Sequence, residues 1–455
     1  ELFSADQMEQ HGRYLAESHV LATGPAPDQL LPRLAANEEI LLRVFEQLTE
    51  AVTAGRRVTP ASDWLLDNFY LIEEQIRTAR RHLPRNYSRE LPRLANGASA
   101  GFPRVWDIAL ETIAHGDGRV DLAGLTRFIA AYESVSPLNL GELWAIPIML
   151  RLALIENLRR VALRIAAGRI DRDLASQWVR AMITTVDQDP KSLILVVADM
   201  ARSKPPMSAP FVSEFVRGLQ GQSPALAMAL TWVEQRLAED GQSIEQLVQS
   251  GNQIQAADQV TIGNSIGSLR FLASVDWRTF VEFMSVVDQA LRGAPDDCYA
   301  QMDFGTRDRY RRVIERIARR SEQSEPEVAE AALRLAREAA ARTDADDGER
   351  ARRAHVGYYL IGRGLDELER AVRYRRTPAE FVRSSVKRVP LLAYLGTITA
   401  ITAAIGGWLW SVAYADGVGG WRLALIVVIA VIATSQLAVS LINWLATLLV
   451  TPSAL

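Results

Sequence analysis

The chain has 455 residues, a formal net charge of −3, 49% hydrophobic residues and 23% charged ones. That balance supports a sizeable core and lacks the basic excess that a nucleic-acid-binding domain carries, so no nucleic-acid partner is expected. Cys298 is the only cysteine and the five histidines (His11, His19, His82, His115, His355) are scattered, which excludes a disulfide framework or a cysteine zinc site within the chain.

In chain order the signals are helical almost throughout. Residues 28–52 form an amphipathic stretch. Thr59 is a plausible N-cap with Pro60 at the first helical position, opening a helix that is expected to run to about residue 83. On it Leu66, Phe69, Ile72 and Ile76 share one face by the 3.6-residue period, with Asp63, Asp67, Glu74 and Arg77 opposite. His115-Gly-Asp-Gly-Arg-Val-Asp121 lies between two helices. It lacks the alternating oxygen ligands and the terminal Glu of a calcium loop, so it reads as a tight turn with an Asp cap. Residues 143–155 are strongly apolar but interrupted by Pro147 and Arg151. They are too short to cross a bilayer and read as a kinked core helix.

Further amphipathic stretches cover residues 173–186, 225–239 and 277–291, with breaks marked by Gly, Pro, Asp and Ser. Residues 192–200 (SLILVVADM) are rich in strand formers, yet they follow Asp189-Pro190, a good helix start. Gly263 and Gly267 form a glycine pair without the strand–loop–helix context or the Lys of a phosphate cradle, and are assigned a structural role. Residues 320–354 are rich in Ala, Glu and Arg with charges spaced for i, i+4 pairing, which suggests a solvated helix and a hinge. Asp344 and Asp346 match the D-x-D pattern of metal-holding glycosyltransferases, but within a charged linker a solvated turn is the better reading.

Residues 391–413 carry no charge and are long enough to cross a hydrocarbon core; a short turn leads to a second apolar stretch, 423–450. Trp408, Trp410, Tyr414 and Trp421 flank that turn, as interfacial aromatics do. Arg370, Arg373, Arg375, Arg376, Arg383, Lys387 and Arg388 precede the first span, which by the positive-inside rule places the long N-terminal part in the cytoplasm. The expected fold class is all-α: a multi-helical cytoplasmic domain (1–320), a charged helical linker and basic juxtamembrane segment (321–388), and a two-helix transmembrane hairpin (389–455).

Asp63, Trp64, Asp67, Tyr70 and Glu74 combine carboxylates with aromatic rings on one helix, as sugar-binding surfaces do, and form a candidate sugar-contact or domain-docking face; the same pattern describes any solvated helix face. The pairs Glu142/Glu156 and Asp303/Asp308 are weaker candidates, Glu156 being adjacent to Arg159 and Arg160. No catalytic residue, metal site or cofactor is assigned.

Long stretches of the chain resemble the N-terminal region of the cyclic β-1,2-glucan synthases, large bacterial inner-membrane enzymes. They are ELFSADQMEQHGRYLAESH, DWLLDNFYLIEEQIRTARRHLPRNYSRELPRL, GFPRVWDIALETIAHGDGRVDL, LGELWAIPIMLRLALIENLRRVA, IGNSIGSLRFLASVDW, YAQMDFGTRDRYRRVIERIA and HVGYYLIGRG. The resemblance implies a parent enzyme that builds linear β-1,2-glucan from UDP-glucose, trims it with a phosphorylase-like domain and closes it into a ring. It also implies that the glucosyltransferase domain follows this region, in keeping with the missing Q-x-x-R-W signature. The expected role is membrane anchoring and scaffolding, with the lipid bilayer, the catalytic domains of the same polypeptide and β-1,2-glucan as candidate partners. The alternative is a helical domain that is itself a carbohydrate-active enzyme on β-1,2-glucan.

Overall fold

A computed structural model describes all residues except 1, 23, 25–26, 84–86, 295–297, 342–346, 378–389, 418–419 and 450–455. Among the described residues there is no β-strand, and two isolated bridges join Leu21 to Leu94 and Arg93 to Pro103. The helices are α1 (Ala5–Ser18), α2 (Leu30–Thr53), α3 (Pro60–Asp67), α4 (Phe69–His82), α5 (Tyr87–Glu90), α6 (Arg104–His115), α7 (Leu122–Glu133) and α8 (Leu140–Gln188). Then follow α9 (Leu193–Ser203), α10 (Ala209–Leu219), α11 (Ala227–Glu239), α12 (Ile244–Ser274), α13 (Trp277–Met284), α14 (Val286–Arg292) and α15 (Cys298–Gln301). The remainder are α16 (Phe304–Ala318), α17 (Glu325–Ala340), α18 (Asp347–Ala354), α19 (Gly357–Leu360), α20 (Leu365–Ala371), α21 (Pro390–Ala415) and α22 (Trp421–Leu449). The chain divides into two compact units, residues 1–316 with 323–368, and residues 317–322 with 369–455.

The 49-residue α8 organises the first unit. Asn139 and Glu142 form a capping box at its start, each side chain bonding the other's backbone N–H. From Leu143 to Leu158 it is buried nearly all round, as a helix apolar on every face must be. Pro147 forgoes one backbone hydrogen bond, yet the helix continues through it. It also runs uninterrupted through Gly168, which packs against Pro210 of α10, so the stretches 143–155 and 173–186 lie on one helix. Two apolar clusters share this helix. The first joins its N-terminal half to α1–α4, α6, α7, α12 and α13. The second joins its C-terminal half to α9, α10 and α11.

Two stretches expected to be single helices are broken. Helices α3 and α4 are separated at Asn68, whose backbone (φ −109°, ψ 10°) departs from the helix. Its amide donates to the Trp64 carbonyl (2.9 Å) and accepts from Arg270 (2.8 Å), so the side chain competes with the backbone ladder. Residues 277–291 break at Ser285, whose hydroxyl accepts from the Asp288 amide and caps α14. The strand-like 192–200 segment is helical, as α9, with Leu193, Val197 and Met200 buried on one face. Thr59 caps α3 as expected, accepting from the Ser62 amide.

The stretch read as a solvated helix after residue 320 is half apolar: α17 buries Val328, Ala329, Ala332, Leu333 and Ala336. Of the hinge expected at residues 343–349, residues 343–346, Asp344 and Asp346 among them, lie outside the described residues, and Asp347 already begins α18. In the second unit, α21 and α22 contain the spans Tyr394–Ala415 and Leu423–Trp444, each long and apolar enough to cross a membrane. Ala430, Thr434 and Ala438, four residues apart, are the buried stripe of α22. Small residues at this spacing permit close approach of paired membrane helices. Tyr394 donates to Asn443 across the pair (3.0 Å).

Candidate functional site

The predicted acidic and aromatic face is solvent-facing rather than gathered into a cleft. Asp63, Trp64, Asp67, Tyr70 and Glu74 are all exposed, while Leu65, Phe69, Ile72 and Ile76 beneath them belong to the core. The break at Asn68 places Asp63, Trp64 and Asp67 on α3 and Tyr70 and Glu74 on α4.

The weaker carboxylate pairs are each engaged by neighbouring side chains or backbone. Glu142 is fully buried and held by Arg104 through two bonds (Nε to Oε1 2.6 Å, Nη2 to Oε2 2.7 Å). Glu156 accepts from Arg33, Asn37 and Arg159, whereas Arg160 turns to Asn157 instead. Burial works to raise the Glu156 pKa, but the hydrogen bonds from Arg33, Arg159 and Asn37 hold it below the usual value. Asp303 accepts from Thr306 near the start of α16, and Asp308 pairs with Arg311 and Arg312. The His115–Asp121 segment is the expected turn, with Asp121 accepting from the Gly124 amide. Asp117 fastens this turn to α12 by accepting from Thr261 and, through its carbonyl, from Asn264. Gly263 and Gly267 lie within α12 rather than at its start, and a side chain at either would meet open space.

The fold also makes groupings that sequence separation concealed. His11 of α1 and His115 of α6 converge on Glu111 (2.7 and 3.1 Å). One ligand atom from each lies within 4.8 Å of the others, a donor set that suits a divalent transition metal and equally forms a closed hydrogen-bonded cluster. A second grouping is buried: Arg311 donates to Asp288 (2.6 Å), which also accepts from Tyr299 (2.7 Å) and Arg292 (2.7 Å). Burial, reinforced by that contact with Asp288, raises the Tyr299 pKa.

A polar cleft of about 550 Å³ lies in the first unit near the boundary of the two apolar clusters. Arg56 and Arg57 line it from the loop after α2, Arg169, Arg172 and Arg180 from α8, and Arg217 from α10. The carboxylates facing them are Asp173 and Glu214. Asp173 accepts from Arg56 (3.1 Å) and Arg169 (3.3 Å); Glu214 accepts from Ser176 (3.3 Å) and is bonded to Arg217. The side chains of Arg57, Arg172 and Arg180 form no hydrogen bond or ion pair among the described residues. Burial lowers the Arg172 pKa; Glu214 opposes that shift and Arg169 adds to it. Helix α10 closes one wall by approaching α8 so tightly that a side chain at Gly218 would meet Val179 at 2.8 Å. A sequence signal existed: residues 169, 172, 173, 176, 177 and 180 repeat on one helical face, a polar stripe on a helix otherwise chosen for burial.

No family model matches the chain. It is 32% identical over 403 residues to the cyclic beta-(1,2)-glucan synthase NdvB of Rhizobium meliloti (strain 1021). The match covers 88% of this chain and 14% of that protein, so the chain spans about one seventh of its relative's length. Two membrane-length helices and this likeness together point to membrane association. Most of the chain is thus related in sequence to a stretch of a cyclic β-1,2-glucan synthase, as its motifs suggested.

Proposed function

We propose that this chain is the N-terminal anchoring and scaffolding region of a cyclic β-1,2-glucan synthase, holding it in the bacterial inner membrane with the helical unit on the cytoplasmic side. The observation that carries the reading is the 403-residue likeness to such a synthase, joined to two apolar helices of membrane length. The orientation rests on the arginines before the first span against Asp416 and Arg422 around the turn. Part of that basic charge is offset locally, since Arg375 pairs with Glu322 (2.7 Å) and Arg376 with Glu369; Arg383, Lys387 and Arg388 lie outside the described residues. Transfer of glucose from UDP-glucose would fall to other parts of such a synthase.

The exposed Trp64 and Tyr70 beside three carboxylates favour a second reading, in which glucan contacts this face or is processed there. The detergent-solubilised chain, incubated with linear β-1,2-glucan and analysed by mass spectrometry, separates the two. Unchanged glucan from a folded chain agrees with scaffolding. Shortened chains, or rings one water lighter than the substrate, would make the region an enzyme.

A further inference from the structure

The arginine-lined cleft is not explained by anchoring or docking. It concentrates six arginines against two carboxylates in a chain whose overall charge is −3. Arg169 is buried, Arg172 half-buried and the other four reach solvent, so the wall carries an excess of positive charge that attracts an anion without being forced to hold one. Natural structural arginines are paired, as Arg104 and Arg311 are here. The Arg57 and Arg180 side chains form no hydrogen bond or ion pair, and Arg172 feels Glu214, Asp173 and Asp171 only through space.

We infer that this cleft binds a small soluble anion bearing two or more phosphate groups. Three observations select that chemistry. The excess of arginine over carboxylate suits a ligand with several negative charges, and guanidinium groups match phosphate oxygens in fork geometry. The other lining residues include Ser213, Asn252 and Gln255, which add neutral hydrogen-bonding groups. No aromatic side chain lines the cleft, so it has no platform on which a sugar ring or a base would stack. That disfavours glucan as the occupant. The volume of about 550 Å³ lies within the range of small-molecule sites.

The test uses the full chain in phosphatidylcholine nanodiscs, titrated calorimetrically with inorganic pyrophosphate at physiological ionic strength. Saturable binding is expected, weakened at least about tenfold by Arg172→Gln with Arg180→Gln, each removing charge-assisted bonds without orphaning a carboxylate. Arg202→Gln, on an exposed arginine outside the cleft, is expected to bind as the unaltered chain does. Glu214→Gln removes a competing carboxylate and is expected to tighten binding, a gain that misfolding would not produce. Absence of binding at millimolar pyrophosphate, or equal binding by the Arg172/Arg180 variant, overturns the proposal. Nanodiscs containing phosphatidylglycerol distinguish the source: undiminished affinity supports a soluble ligand, and displacement by the lipid overturns the soluble assignment.

Discussion

Replacing Glu142 by Ala removes one carboxylate that performs two tasks. It forms the buried bidentate pair with Arg104, and it accepts from the Asn139 amide at the start of the helix that carries both apolar clusters. Arg104 would keep Ser136 Oγ and the Pro137 carbonyl, but it would lose its hydrogen-bonded carboxylate, leaving the charge of Glu133 to offset it in part. Breaking a buried pair from one side costs about 3–5 kcal/mol, and loss of a capping interaction costs about 1 kcal/mol. Because the same side chain serves both, the terms overlap and the expected loss is about 3–5 kcal/mol. Equilibrium urea unfolding of the detergent-solubilised chain, followed by circular dichroism, measures it. The double variant Arg104→Met with Glu142→Leu is expected to recover much of the loss, since no charge is then stranded. A loss below about 1 kcal/mol for Glu142→Ala would place the pair in the range of exposed ion pairs and refute the reasoning.

Three further outcomes follow from individual residues. Burial pushes the Glu133 pKa from 4.5 up to about 7, against the Leu138 amide bond and the nearby charge of Arg104. The folded state therefore holds this proton more tightly than the unfolded one, so stability falls as pH rises from about 4.5 to about 7; in Glu133→Gln that fall should be shallower in a pH series of unfolding midpoints. Gly118 has φ +75°, and a side chain there would meet Ser265 Oγ, so Gly118→Ala should cost about 2–4 kcal/mol by the same unfolding assay. Gly267 is exposed within α12 with open space around it, so Gly267→Ala should instead gain about 0.5–1 kcal/mol. A stabilised Gly118→Ala chain would mean that the turn is not docked on α12 as described.

The helical class was legible because apolar period and capping chemistry agree along most of the chain. Thr59-Pro60, Asp121 and the paired apolar stretches of α21 and α22 signal themselves locally. Interruptions were not legible where a long-range partner decides them. Asn68 breaks a helix where Arg270, far away in sequence, donates to its side-chain oxygen, and the helix runs on through Gly168, against which Pro210 packs. The same holds for the sites. Three carboxylates on one helix face were easy to read, yet such a pattern also describes an ordinary solvated face, and the fold leaves them exposed. The His11–Glu111–His115 cluster and the arginine cleft required knowing which helices meet. The partial exception is the polar stripe of α8, whose spacing was visible while its partners on the α2–α3 loop and α10 were not.

The most direct measurement is made in a complete cyclic β-1,2-glucan synthase that contains this region. The part that precedes the apolar helices, residues 1–368 in the present numbering, is deleted while α21 and α22 are kept. Membrane-bound synthase and cyclic glucan are then quantified in the same cells. Scaffolding predicts that the synthase is lost from the membrane or assembles wrongly and that ring production falls with it. A normally assembled synthase making rings at the full rate would contradict the account.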